Sequence, residues 1–242
     1  MTPQEVFAVV AGRVAYLAAS TTADGPDWVR ADEIVAGVAT FVPNTMAGFG
    51  TDDEAVAASL FTEAYAFRVA GTALAAFALD LPVPDLAPDR VALTLDQPRP
   101  AAVAYLDPHV QPRTAAELAD ALVEAHLQPF VAAVHREFKV GERLLWGNVA
   151  AACAVAFRAV ESSGADRQRV RDRANDFMTA CHTWFDGLGN FTTETAETTE
   201  NTELTGHQGW FWDRTSCCLW YRTADGRLCD NCSLRERTAG TA

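Results

Sequence analysis

These 242 residues contain no Gly-rich phosphate loop, no internal repeat and no uncharged apolar run long enough to span a bilayer. The first absence leaves nicotinamide or flavin binding without support, and the second sets solenoid and propeller architectures aside. The longest apolar run, Val69 to Leu79, falls short of a transmembrane helix. Nor does the N-terminal stretch read as a secretory signal, because Glu5 precedes any cation and Arg13 interrupts its apolar residues. A cytoplasmic location is expected, with peripheral contact at the inner face of the membrane as a further option. Cations are in short supply: 19 Lys and Arg stand against 32 Asp and Glu, for a net charge of -13. Nucleic acid is a poor partner for such a surface, since phosphate binding needs a basic face. Cysteine is sparse at six residues, and without export a disulfide framework is not expected.

Four of those six cysteines, however, fall within sixteen positions: Cys217, Cys218, Cys229 and Cys232. They read Cys-Cys, ten residues, Cys, two residues, Cys. In an intracellular protein clustered thiols point to metal or redox chemistry. Cys229-x-x-Cys232 has the short bite that places two thiolates on one tetrahedral ion. The adjacent pair is unusual for zinc, whose modules use two spaced pairs. Cys217 and Cys218 can share an ion only where the backbone bends to aim both thiols one way. Two readings stay open on spacing alone, an iron–sulfur centre and a structural four-cysteine zinc site in a non-enzymatic binding protein.

The segment CCLWYRTADGRLCDNC resembles the cluster motif of the FhuF-like ferric siderophore reductases, and Leu144-Leu145-Trp146-Gly147-Asn148-Val149-Ala150 is similar to that family's LWGNVA block. One departure is Ser233, where the family pattern has proline after the last cysteine. The resemblance implies a [2Fe-2S] cluster on Cys217, Cys218, Cys229 and Cys232 that passes one electron to a ferric siderophore. It implies that the block and the helices before it face the siderophore, with Arg143, Trp146 and Asn148 as substrate contacts. An arginine and an asparagine can meet hydroxamate or carboxylate oxygens, and a tryptophan can wall the site. The plainer alternative makes Trp146 a core anchor, Asn148 a cap or turn residue and Arg143 a solvated charge. With no nucleotide loop, electrons would come from an external donor such as a ferredoxin. The acidic body would suit a neutral or cationic ferric hydroxamate over an anionic tris-catecholate.

The remaining pattern is mainly α with one small β-hairpin. Apolar spacing predicts a helix over Pro3 to Ala18, and Thr51-Asp52-Asp53-Glu54 reads as a capping box opening a helix from Ala55 to Leu79. Arg90–Leu95 and Ala102–Leu106 alternate, with Gln97-Pro98-Arg99-Pro100 between them, as a hairpin would. Thr114-Ala115-Ala116-Glu117 opens a helix to His126, Pro129 starts or kinks the next one to Phe138, and helices follow at Leu144–Ser162 and Asp166–Phe185. Residues 1–186 form a helical body on this reading, 187–206 an acidic Thr/Glu-rich linker or loop, and 207–242 the cysteine segment. Inside that segment Leu219 to Arg222 is expected to be a strand, with Ala224-Asp225-Gly226 turning the chain back to Cys229.

Trp210, Phe211, Trp212, Trp220 and Tyr221 would dock the segment on the body or shield a cluster from water. Five arginines (214, 222, 227, 235, 237) against four acids (213, 225, 230, 236) make the stretch Asp213 to Arg237 +1, which leaves -14 for the remainder. Those cations would favour a reduced cluster or offer a face to an acidic donor, or they are ordinary solvated side chains. Cys153 and the Cys181-His182 pair read as structural, and His207 reads as an exposed linker residue.

Overall fold

The computed structural model describes residues 1–95, 100–194, 209–229 and 232–234. The first helix, α1 (Pro3–Arg13), opens on a reciprocal cap, Thr2 Oγ1 accepting from Glu5 N–H while Glu5 Oε2 accepts from Thr2 N–H. It ends five residues before the expected Ala18 and gives way to a 3-10 turn over Ala15–Leu17. Then come β1 (Trp28–Arg30), α2 (Ala31–Ala36), α3 (Val38–Asn44), α4 (Met46–Phe49) and the long α5 (Glu54–Ala78). The cap of α5 is Asp53 rather than Thr51: its Oδ1 accepts from Ala55 and Val56 N–H at 2.9 and 3.2 Å. A carboxylate wins this position because it satisfies orphan amides and also meets the positive end of the helix.

After β2 (Val83–Pro84), the expected hairpin forms from β3 (Val91–Thr94) and β4 (Val103–Tyr105), antiparallel with Val91 opposite Tyr105. Positions 96–99, which hold most of its expected turn, lie outside the described residues. β1 flanks β3 to complete a three-stranded sheet, and β5 (Val110–Gln111) pairs with β2. The Thr114 capping box opens α6 (Ala115–Ala119) as read, and the helix continues in π form over Asp120–Leu127. Pro129 follows directly, at the change from the π stretch to α7 (Gln128–Phe138), inside a continuous helical run. The body closes with α8 (Glu142–Ser162), α9 (Arg167–Ala180) and α10 (His182–Phe185), the expected final helix being divided at Cys181.

Two helices organise the core. α5 and α8 lie along each other, and both are rich in alanine at buried positions, among them Ala58, Ala66, Ala70 and Ala73 on α5 and Ala150, Ala151 and Ala154 on α8. Small side chains let the two backbones approach closely, and a helix apolar on nearly every side belongs in a protein interior. α8 is long and apolar enough to cross a membrane by composition alone, but 72% of that window is buried within this protein.

Within the expected linker or loop 187–206, residues 189–194 are a strand. β6 (Gly189–Glu194) pairs antiparallel with β7 (Gly209–Arg214), from Gly189 opposite Arg214 to Glu194 opposite Gly209. Threonine suits a pleated, half-buried strand, and Phe191 stacks on Trp210 at 3.9 Å and meets Trp212 edge-on at 5.0 Å. Trp210 and Trp212 are buried in the core, so this hairpin belongs to the body. Positions 195–208, His207 among them, lie outside the described residues, as do Asp230 and the charges at 235–237.

Candidate metal centre

β7 delivers the cysteines to the body. It runs beside α8 and ends at Arg214, after which the chain crosses α8 at Gly147, where a Cβ would stand 1.8 Å from Ser216 Oγ. Glycine is required there because Ser216 occupies the side-chain volume. Cys217 and Cys218 follow over the N-terminal part of α5, where Ser59 Oγ donates to the Cys218 carbonyl at 2.7 Å. Leu219 then enters the left-handed region (φ 68°), which ends any extended run. The expected strand at 219–222 is therefore absent, and Trp220–Arg222 form a 3-10 turn. Arg222 Nη2 bonds Asp53 Oδ2 at 2.7 Å, and Ala224 N–H donates to Gly50 O at 2.8 Å. At Gly226 a Cβ would lie 2.1 Å from Trp220 O, so this return turn also needs glycine.

The turn brings the sulfurs together across the motif rather than along it. Cys218 Sγ lies 3.9 Å from Cys229 Sγ, and the Cys217 thiol interacts with Cys232. Among the described residues no group of three or more His, Cys, Asp or Glu side chains gathers about one point; the closest sulfurs are those of Cys218 and Cys229. Cys218 and Cys232 are buried, and Cys217 and Cys229 are half-buried. Leu219 N–H donates to Cys217 Sγ at 3.4 Å, and Trp220 N–H reaches Cys218. Backbone amides aimed at sulfur stabilise negative charge there, which suits thiolate ligands. As free thiols the closest pair shares its protons. Cys218 is held below the usual thiol range by its hydrogen bond with Cys229, and Cys229 is pushed up by the same contact and then by burial. Burial raises Cys217. The charge of Arg214 acts on both Cys218 and Cys229 in the direction that favours thiolate.

The three expected substrate contacts separate. Asn148 is fully buried, its Oδ1 accepting from Arg214 and its Nδ2 donating to Ser59 O and Oγ, each at 2.9 Å. With its amide spent on these partners it presents nothing to a ligand, which corrects its assignment as a substrate contact. Trp146 is 8% exposed and packs against Trp184 and Phe185. Arg143 donates to Gly187 O at 2.6 Å and to Thr215 Oγ1 at 3.3 Å, tying the entry of β6 to the exit of β7. Both Arg143 and Trp146 nevertheless line a cleft of about 430 Å³ between α7, the start of α8 and α10, together with Gln128, Trp184 and Asp186.

Sequence reasoning missed Ser59, and it counted Arg214 among five cations near the cysteines without showing that it is buried. Arg214 is an ordinary charge in the sequence, and its burial depends on β7 pairing with a Thr/Glu-rich strand. Elsewhere the buried thiols stay inert: desolvation pushes Cys153 up to about 12 and raises Cys181 further.

Residues 59–203 match the family model described as ferric iron reductase FhuF-like transporter, and residues 214–234 match the FhuF 2Fe-2S C-terminal domain. The second match covers all four clustered cysteines and makes the cofactor a [2Fe-2S] cluster; the zinc reading drops out. No curated protein matches the chain.

Proposed function

From the membership of this chain in the FhuF-like ferric iron reductase family, we propose that it reduces ferric siderophores of the hydroxamate type and releases Fe(II) in the cytoplasm. The observation that carries the reading is the gathering of Cys217, Cys218, Cys229 and Cys232 on one turn, with Cys218 Sγ 3.9 Å from Cys229 Sγ and amide N–H groups aimed at the first two sulfurs. A [2Fe-2S] cluster takes two thiolates per iron and, when bound, supplies one electron at a time. Cys217, Cys218, Cys229 and Cys232 would be its four ligands.

The chain's own residues do the rest. Cys217 and Cys229 stay partly open to solvent, which leaves a route for electrons in from a separate donor such as a ferredoxin. The cleft at Arg143 and Trp146 offers cationic and apolar contacts to the ferric complex. Taking one electron lowers the iron charge from 3+ to 2+, so the siderophore's anionic oxygens hold it less strongly and the chelator leaves intact. No bond within the siderophore breaks, and no covalent intermediate on the protein is needed.

The test is anaerobic. Protein prepared with iron and sulfide available should carry about two irons and two sulfides per chain and absorb in the visible. After one-electron reduction, a ferric trihydroxamate should reoxidise it with stoichiometric trapping of Fe(II), faster than a ferric tris-catecholate does. A loaded, reduced protein that leaves both ferric complexes untouched would overturn the activity, and equal rates would remove the hydroxamate preference.

A further inference from the structure

Arg214 is the largest fully buried side chain among the described residues, 1% exposed and three positions before the first cluster cysteine. A guanidinium keeps its charge at any ordinary pH, and burying it costs several kcal/mol unless anions or well-placed acceptors compensate. Each of its three nitrogens has a partner, but two of the three acceptors are neutral. Nε donates to Ser216 O at 2.8 Å and Nη2 donates to Asn148 Oδ1, both neutral acceptors. Among the described residues its carboxylate neighbour is Glu63, at 3.5 Å from Nη1 and one-third exposed. Arg214 is thus a buried cation whose carboxylate neighbour lies partly in solvent, a setting in which an anionic cofactor nearby would be stabilised.

The contacts also run in one direction. Asn148 accepts from Arg214 and donates to Ser59, and Ser59 Oγ donates to the carbonyl of Cys218. Arg214, Asn148 and Ser59 are all buried, and they come from β7, α8 and α5. Gly147, beside Asn148, gives Ser216 its seat. The Gly147-Asn148 pair of the α8 block is therefore a socket for the cysteine turn.

We propose that Arg214, held by Asn148 and Ser59, is a positioning residue that fixes the backbone of Cys218 and sets the cluster's reduction potential through its buried charge. The inference rests on the [2Fe-2S] reading above. A cluster on four thiolates is anionic and gains one more negative charge on reduction. A fixed cation beside it favours the reduced form, and low local dielectric keeps that effect from being screened.

Redox titration of the full chain, followed by visible absorption and by electron paramagnetic resonance, tests this. Arg214→Gln should shift the reduced-to-oxidised ratio at fixed potential at least tenfold toward oxidised, a midpoint about 59 mV lower for a one-electron couple. Arg214→Lys keeps the charge and should recover most of that shift. Glu63→Gln leaves the arginine less neutralised and should move the midpoint the other way. Ser59→Ala keeps every charge, so its midpoint should stay near wild type while the resonance line shape changes with the Cys218 backbone. Arg214→Gln with full iron content and a midpoint within twofold of wild type in that ratio would overturn the proposal. Should that variant fail to hold iron, an unshifted Glu63→Gln midpoint overturns it instead. A wild-type protein with no cluster would defeat the functional reading, an outcome distinct from either.

Discussion

At Gly147 a single hydrogen decides whether the cysteine turn can seat. A Cβ there would collide with Ser216 Oγ at 1.8 Å and press its Cβ at 3.0 Å, so rotating the hydroxyl away would still leave a tight contact. Gly147→Ala should therefore loosen the turn, at an overpacking cost of about 1–3 kcal/mol. The expected result is protein with intact helix but reduced iron retention on dilution, and Gly147→Ala with Ser216→Gly should restore it. Loss of helix in the single variant, unrescued by the second change, would mean that Gly147 serves α8 itself. The sequence showed the Trp-Gly-Asn run as a landmark without showing its direction. Asn148 and Arg143 carry the right groups for a ligand, and only the fold reveals that Asn148 points at Ser59 and Arg214 while Arg143 borders a cleft. The four cysteines were legible as a metal or redox centre from their spacing, and the family resemblance chose iron and sulfide over zinc. The approach of Cys218 to Cys229 was not legible, because it depends on how the turn after Leu219 folds back.

Among the elements, the π-helical stretch Asp120–Leu127 carries a buried histidine with a full set of partners. His126 Nδ1 lies 2.6 Å from Leu86 O and Nε2 lies 2.8 Å from Tyr65 OH. The carbonyl can only accept, so Nδ1 carries the proton and the tyrosine hydroxyl donates to Nε2. Burial depresses the imidazole to about 4, with the Leu86 carbonyl opposing that shift more weakly. The unfolded chain takes up a proton near 6.5 that the folded chain refuses until about 4. Stability from this group is thus complete above about pH 6.5 and falls as pH drops toward 4. Thermal unfolding of wild type and His126→Gln across pH 7 to 4 should show a shallower decline for the variant, from a lower starting point at pH 7. Parallel slopes would assign the acid sensitivity to other groups. Capping boxes and alternating strands in this region could be read from sequence, since both are local patterns. A π turn is not local in that sense, and β6 was hidden because threonine and glutamate give no apolar period until Phe191 meets Trp210 and Trp212.

On the scale of the whole molecule, the hydrophobic core and the cysteine turn are separate structures that share a border. The core runs through α5, α8 and the β6–β7 hairpin as far as Trp210 and Trp212, and it does not include Cys218 or Cys232. What holds the turn is polar: Ser59 to Cys218 O, Arg222 to Asp53 and Ala224 N–H to Gly50 O. The Arg222–Asp53 pair is half exposed and contributes little by itself. Four thiolate–iron bonds would therefore supply most of the order in residues 217–229, while the body stands on its own burial. Removing iron should leave far-UV helix almost unchanged and release the turn as a local opening event. In hydrogen exchange, the amides of Leu219, Arg222 and Ala224 should speed up at least tenfold, about 1.4 kcal/mol of lost protection, while those of α5 and α8 hold. If α5 and α8 instead opened together with the turn, cluster and body would be one cooperative unit. The electrons would then enter a centre whose loss unfolds the protein, and the socket at Gly147 and Asn148 would be a keystone of the fold rather than a mount for the cluster.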